Sequence, residues 1–331
     1  MKLPSPQTLL ARPLARWVVA LVAIAVLSAV VRRAGAQAVL ALLARTAGSL
    51  PWVALFEVGT LVGSTLALRA LYGGRRSGMG AGTWLRSAML GYAVGMVAPL
   101  GRASAEAARA VLLARHAGGP RAAVAAVQMQ GIALLANALL CGVTAVATAA
   151  LLGANRLTLL MAANMGLALV VGIGVLWARR ARPGRLLGKV AARGKSFGGA
   201  FDACPGASAS AQVQAFLWES AGRSMQVAQL TVVLVAVLGK ARWLHTLAVL
   251  GTQQLGQTVG DALPAQLGAP EASLSLAAHA LALTPAAAAA VPLLVHAAQL
   301  GLAGLCALAL LVGPWPKSRS ASELSTTLEA S

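Results

Sequence analysis

Acidic, aromatic and cysteine residues are all scarce in this chain. Asp and Glu number 8 against 27 Lys and Arg, aromatic residues make up 4% of the 331 positions, and all charged residues together make up 11%. So few charges cannot cover the surface of a soluble domain of this size, which excludes that class. Cys141, Cys204 and Cys306 are isolated from one another, so the sequence predicts neither a disulfide framework nor a zinc site.

The complete motifs of several enzyme classes are missing as well. None of the GxSxG, Walker A and GxGxxG motifs occurs with the strand context that its function needs, which argues against a hydrolase, an NTPase and a dinucleotide-binding fold. The four histidines lack the spacing of metal ligands. We therefore expect a protein that is not an enzyme, with no catalytic residues, no metal and no cofactor.

Apolar residues dominate what is present. They account for 58% of the chain, and the mean hydropathy is +0.76. This composition predicts an all-α polytopic membrane protein, with residues 1–331 forming a single integral membrane domain. Because the Lys and Arg residues lie at the ends of apolar segments, they indicate orientation in a membrane and not nucleic-acid binding.

The ends of the chain and its centre are less apolar. Residues 17–31 form either an uncleaved first span or the apolar part of a signal peptide, and Arg32 and Arg33 favour the span; both interpretations place the N-terminus in the cytoplasm. Residues 38–47 are too short to cross a membrane and predict an interfacial helix on the outer surface. Residues 179–211 predict a basic cytoplasmic loop, and residues 313–331 a disordered tail.

One pattern, GxxVGxxxPxxxxxxEA, occurs twice with an offset of 165 residues. The offset also relates Cys141 to Cys306. An internal duplication explains both matches, and coincidence in an Ala- and Gly-rich composition is the alternative. The matched residues are Gly91, Val94, Gly95, Pro99, Glu106 and Ala107 in the first copy and Gly256, Val259, Gly260, Pro264, Glu271 and Ala272 in the second.

Each copy predicts a repeat unit in which a broken helical hairpin lies between two spans. The units cover residues 51–153 and 212–312, and the hairpins break at Pro99 and Gly101 and at Pro264 and Gly268. With re-entrant hairpins, 18 of the 27 Lys and Arg residues fall in the cytoplasm, 6 fall outside and 3 lie at membrane depth. This count favours cytoplasmic termini and two units of inverted orientation, an architecture typical of transporters. Hairpins that cross completely would weaken the argument for inversion.

Arg102, Glu106 and Arg109 are the strongest candidates for a substrate site. Their spacing places them on one face of a helix, and one carboxylate between two guanidiniums leaves a positive charge that a phosphate can occupy. The alternative is that Glu106 complements a helix N-terminus.

Asp261, Gln266 and Glu271 are the corresponding candidates of the second hairpin. Glu271 lacks an arginine at helical spacing, which favours a role in proton coupling, although it too can complement a helix N-terminus. Glu219 and Arg223 are a secondary pair, expected to neutralise each other within one span. Glu57 is expected to be solvated near the outer interface.

The two hairpin sequences, GYAVGMVAPLGRASAEAARAVLLARH and LPAQLGAPEASL, resemble the flippase-like membrane family that includes the transmembrane region of bacterial lysylphosphatidylglycerol synthases. The resemblance implies a multi-pass protein of the bacterial inner membrane that translocates a lipid or a lipid-linked anionic headgroup. It does not imply aminoacyl transfer. The alternatives are a non-transporting partner of a separate lipid-modifying enzyme, docked through the basic loop, and a secondary transporter of a small solute or ion.

Overall fold

The computed structural model describes residues 13–73, 79–98, 100–178, 194–261 and 266–312, which are almost entirely helical and contain no strand. Pro99, Pro264, the tail and residues 179–193 of the basic loop lie outside the described residues. The helices are α1 (Pro13–Ala34), α2 (Ala36–Thr46), α3 (Leu50–Tyr72), α4 (Ala81–Val97), α5 (Gly101–Ala117), α6 (Gly119–Leu152), α7 (Arg156–Ala178), α8 (Gly194–Ala203), α9 (Ala209–Leu238), α10 (Trp243–Gly260), α11 (Ala269–Ala277) and α12 (Pro285–Val312).

Five helical stretches within the described residues are long and apolar enough to cross a membrane. They are Ala36–Tyr72, Gly119–Leu152, Arg156–Ala178, Ala209–Leu238 and Pro285–Val312. Many large apolar side chains on these helices point outward, as expected for helices surrounded by lipid. The prediction of an α-helical multi-pass membrane protein is therefore confirmed. The predicted interfacial segment is helix α2, which joins α3 through the short 3₁₀ turn Ala47–Ser49.

The two predicted units share one order of helices. Each has a long helix, a broken pair and a second long helix: α3, α4, α5 and α6 in unit one, and α9, α10, α11 and α12 in unit two. Their packing is also reciprocal. In unit one, α3 and α4 both pack on α12 of unit two; in unit two, the corresponding helices α9 and α10 both pack on α6 of unit one. The helices thus occupy equivalent places in the two units.

Helices α3 and α9 make the most extensive contact of the bundle, and they run in opposite directions. Gln229 contacts Val53 near the start of α3, whereas Gly222 contacts Gly63 a few turns further along it. The crossing is so tight that a Cβ atom on Gly63 would lie 2.8 Å from the Gly222 Cα and from a backbone oxygen of α9. The Thr60 hydroxyl donates to the Gly222 carbonyl at 3.1 Å.

The broken pairs fold back on themselves. Gly95 and Gly260 occupy equivalent positions, and a Cβ on either would lie 3.0 Å from an alanine Cβ of the second arm of its own pair. These glycines therefore permit close packing between the two arms, as the small-residue spacing predicts. The second arm of unit two is short, because α11 ends at Ala277 and turns follow.

Part of the predicted basic loop is helical. Helix α8 packs on α6, and its Phe201 side chain is buried. Side chains of α6 hold the turn that follows: Gln128 Oε1 accepts a hydrogen bond from the Ala207 amide at 3.1 Å, and Arg121 donates to the Pro205 carbonyl. This part of the predicted loop is therefore fixed to α6. The sequence does not show such contacts, because the bonded residues are far apart along the chain.

Replacing Gly63 by alanine should separate α3 from α9 and lower the free energy of unfolding by about 1–3 kcal/mol, because the added methyl group meets backbone atoms that cannot move aside. The midpoint of thermal unfolding in detergent measures the effect. Gly304→Ala is the matched control, since a Cβ on Gly304 meets no atom within 4 Å. Equal midpoints for the two variants would contradict the tight crossing.

Candidate functional site

A polar cavity of about 430 Å³ lies where the two units meet. Its wall includes residues from α3, α4, α5 and α6 of unit one, from α9, α10 and α12 of unit two, and from α7, which joins the units. The charged side chains in the wall are Glu57, Arg102, Glu106, Arg109, Glu219, Arg223 and Asp261.

The first hairpin places its three predicted residues in this cavity. Arg109 Nη1 donates to Glu106 Oε1 at 3.0 Å and to the Ser64 hydroxyl at 3.2 Å. Both members of this ion pair are buried. A side chain on Gly91 would collide with the Arg109 side chain, so that glycine provides the space for the guanidinium. Glu106 lies beyond the first turn of α5, so the alternative of a helix N-terminus does not describe it.

Glu219 connects the two units. Its Oε1 atom forms an ion pair with Arg102 Nη2 of unit one and lies 3.5 Å from Arg223 Nε of its own helix. Arg223 also donates to the Asn137 side-chain oxygen at 3.3 Å. The predicted neutralisation within one span was therefore incomplete, because Glu219 is shared with Arg102. The predicted secondary pair, Glu219 and Arg223, therefore lines the same cavity as the residues of the first hairpin.

The predicted surplus of positive charge is not found. Three arginines line the cavity, but so do four carboxylates, because Glu57, Glu219 and Asp261 join Glu106 there. In this arrangement Arg102, Arg109 and Arg223 each have a carboxylate partner. An anion would therefore have to compete with a carboxylate for each guanidinium, which the spacing within a single helix could not reveal.

The second hairpin contributes Asp261 and Gln266 to the cavity, and Gln266 Nε2 donates to Asp261 Oδ1. Gln266 also reaches the break of the first hairpin, because a Cβ on Gly101 would lie 3.8 Å from its Nε2 atom. The breaks of the two hairpins therefore meet at one side of the cavity, although the prolines predicted at those breaks lie outside the described residues. Gly268, the other predicted break residue, precedes α11 with a φ of 88°.

Glu271 does not line the cavity, contrary to the prediction that it belongs to the substrate site. It is fully buried; Oε2 accepts from the Gly268 amide at 2.9 Å, and Oε1 lies 2.9 Å from His296 Nδ1. Glu271 therefore complements the N-terminus of α11, which is the alternative role predicted for it. His296 belongs to α12, and its separation of 25 positions from Glu271 concealed the pair.

Sequence reasoning missed Glu57 and the amide side chains around it. Glu57 is 5% exposed, so the expected solvated position near the interface was wrong. Several Asn and Gln side chains also line the cavity, and the spacing of Gln254 and Gln257 on α10 and of Asp261 directly after it could have indicated one polar helix face. The remaining amides in the wall are Asn137, Asn164, Gln226, Gln266 and Gln299.

Several buried polar atoms in the cavity wall lack a hydrogen-bond partner among the described residues. They comprise acceptors and donors: Glu106 Oε2, Glu219 Oε2, Gln226 Oε1, Arg109 Nε and Gln254 Nε2. These atoms are themselves buried within the wall, and the groups open to a polar occupant include the exposed Asp261 and the Arg102 side chain, which is 33% exposed.

A second cavity of about 610 Å³ lies beside the end of α7. Its wall includes Trp177, Gln128 and the turn after α8. It is next in sequence to residues 179–193, which lie outside the described residues, so the docking role suggested for the basic loop stays a prediction. The buried ion pairs described above belong to the first cavity.

Replacing Glu271 by alanine should lower the free energy of unfolding by about 1–3 kcal/mol, because His296 and the Gly268 amide both lose a buried partner. Asp261→Ala is the control and should change it by less than about 0.5 kcal/mol, since Asp261 is exposed. Thermal unfolding in detergent measures both. If Glu271→Ala were as stable as the control, the buried contact would not contribute to stability.

No protein-family model, curated protein or solved structure matches this chain. The resemblance carried by the two hairpin sequences stays a prediction.

Proposed function

We propose that this chain is a translocase of the bacterial plasma membrane that moves the polar headgroup of a lipid, or of a lipid-linked molecule, across the bilayer. One observation carries the proposal: a cavity with a charged wall reaches an exposed apolar face of a membrane span. The charged and amide side chains of the wall can bind a headgroup, while acyl chains can lie against the apolar face.

The apolar edge is formed by α7. Asn164, Leu167, Ala168 and Val171 line the cavity at the spacing of one helix face, and two of them also point outward: Leu167 is 60% exposed and Val171 is 42% exposed. A solute that dissolves in water has no need of such an edge. A lipid can keep its chains against these side chains while its headgroup enters the polar region.

The opposite directions of α3 and α9 support an inverted repeat. These helices occupy the first place in their units, both lie within candidate spans, and they pack antiparallel. Units inverted in this way can exchange conformations, and that exchange changes which side of the membrane the shared cavity faces. Cytoplasmic termini follow if the first span starts inside, as the distribution of basic residues indicates.

Arg102 is the guanidinium best placed to meet an anionic headgroup. Its side chain is 33% exposed, compared with 6% for Arg109 and 12% for Arg223. A phosphate that binds Arg102 competes with Glu219, and this competition loosens a bond between the two units. Glu219 keeps Arg223 as a partner when Arg102 leaves, so the buried carboxylate is not stranded.

Cysteine labelling should find the starts of α3 and α9 on opposite sides of the membrane. In a variant with Cys141, Cys204 and Cys306 replaced, we expect Ser210→Cys to react with an impermeant maleimide from the cytoplasmic side. Gly48→Cys and Lys240→Cys should react from the other side, and permeabilised cells control for reactivity. Labelling of positions 48 and 210 from the same side would contradict inversion.

Replacing Arg102 by glutamine should slow headgroup movement about tenfold or more, since a hydrogen bond to a charged group contributes about 1.5–3 kcal/mol. Proteoliposomes with fluorescent phospholipids of several headgroups, read by an impermeant quencher, measure the rate. Arg115→Gln, an exposed position on the same helix, should leave the rate unchanged.

An unchanged rate for Arg102→Gln would remove Arg102 from the site. If the wild-type protein moves no lipid but accumulates a chain-free headgroup such as glycerophosphate, the protein is a solute transporter and the proposal fails.

A further inference from the structure

Glu57 is a buried acid held by neutral groups. The Tyr92 hydroxyl donates to Oε1 at 3.0 Å, Gln229 Nε2 donates to Oε2 at 3.0 Å, and Gln299 Nε2 donates to Oε2 at 3.3 Å. No Lys, Arg or His nitrogen of the described residues lies within 4.0 Å of this carboxyl group. Glu57 differs in this from Glu106, Glu219 and Glu271, each of which has a basic partner.

The other ionisable groups on neighbouring helices are mostly engaged elsewhere. Facing the same cavity, Glu219 on α9 binds Arg223 of the same helix and Arg102 of α5. Glu106 and Arg109 on α5 form their own pair, and Asp261, which follows α10, accepts from Gln266. On α12, His296 contacts Glu271 and Cys306 is a buried thiol; Cys141 on α6 is also buried. Tyr92 on α4 is the ionisable group that touches Glu57.

We propose that Glu57 is a proton-binding site in the wall of the cavity. The three donors offset part of the cost of the carboxylate, but a carboxylate without a basic partner stays costly at membrane depth, and a bound proton removes its charge. The geometry gives that proton an acceptor. A proton added to Oε1 can be donated to the Tyr92 oxygen, and the Tyr92 hydroxyl can then turn toward the Gln299 carbonyl oxygen, which lies 3.5 Å away. On release the proton passes to cavity water, and Tyr92 again donates to Glu57.

A proton fits this site better than a metal cation does. The groups nearest the carboxyl oxygens are an O–H and two amide N–H donors, whereas a cation needs oxygen acceptors on every side. Gln229 is further fixed by its second bond, to the Val53 carbonyl at 3.0 Å, which keeps its N–H groups directed at α3.

The site joins the two units. Glu57 and Tyr92 belong to unit one, whereas Gln229 and Gln299 belong to unit two. The ionised carboxylate accepts bonds from both units, and protonation makes Oε1 a donor and weakens the carboxyl group as an acceptor for the amides. Binding and release of one proton therefore change the strength of contacts between the units. Coupling of this change to headgroup movement rests on the proposed function.

Infrared difference spectroscopy tests the proton site without transport. Between acidic and alkaline pH, the wild-type protein should show the carbonyl band of a carboxylic acid that Glu57→Gln lacks and that the control Asp261→Asn retains. Tyr92→Phe should shift the band, because its acceptor is lost. Persistence of the whole band in Glu57→Gln, or its loss when Na⁺ is added at constant pH, would overturn the assignment.

Transport with an imposed pH gradient tests the coupling. For one proton per cycle, a gradient of about one pH unit can change the leaflet ratio of the fluorescent lipid by up to about tenfold. Glu57→Gln should reduce the effect of the gradient by a larger factor than it slows exchange without a gradient, whereas the control Arg115→Gln should change neither. If the gradient acts equally on Glu57→Gln, coupling through Glu57 is wrong. If wild-type protein moves no lipid but the infrared band behaves as expected, the proposed function fails and the proton site stands.

Discussion

Charge inside an apolar bundle is the constraint on which this structure depends. A buried acid at membrane depth needs a partner, and in this chain the partner usually comes from another helix. Arg102 reaches Glu219 from the other unit, Tyr92 and two glutamines surround Glu57, and His296 meets Glu271. Helix packing and assembly of the site are therefore one process, because most of these acids are satisfied only when the helices have met.

The two predicted units pack in a similar way but differ in chemistry. Their helices pack reciprocally, and Gly95 and Gly260 play the same part in the two hairpins. Glu106 and Glu271 nevertheless have different environments. Arg109 partners Glu106, but the position equivalent to Arg109 is the buried Leu274, so Glu271 takes His296 from α12 instead. Glu106 therefore lies in the cavity wall, while Glu271 stabilises the start of its own helix.

The balance of charge in the cavity bears on how a headgroup would be held. Paired guanidiniums and carboxylates can exchange partners with an occupant without leaving a charge stranded, since Glu219 contacts two arginines. Helix α7 lies outside the repeat and supplies the apolar edge, so the proposed path for acyl chains does not depend on symmetry. Glu57 adds a group whose contacts span the two units.

Composition and spacing by themselves determined the helical membrane class, the order of long and broken helices, and the place of Arg102, Glu106 and Arg109 on one helix face. These properties follow from local rules, because hydropathy sets the spans and helical periodicity sets the faces. Contacts between distant segments were decided by the tertiary structure: Glu219 with Arg102, Glu271 with His296, and Glu57 with its amides. For Glu57 the physical reason is the close crossing of α3 and α9 at Gly63 and Gly222, which brings Gln229 within hydrogen-bonding reach. The other two contacts depend in the same way on helices that only the fold brings together.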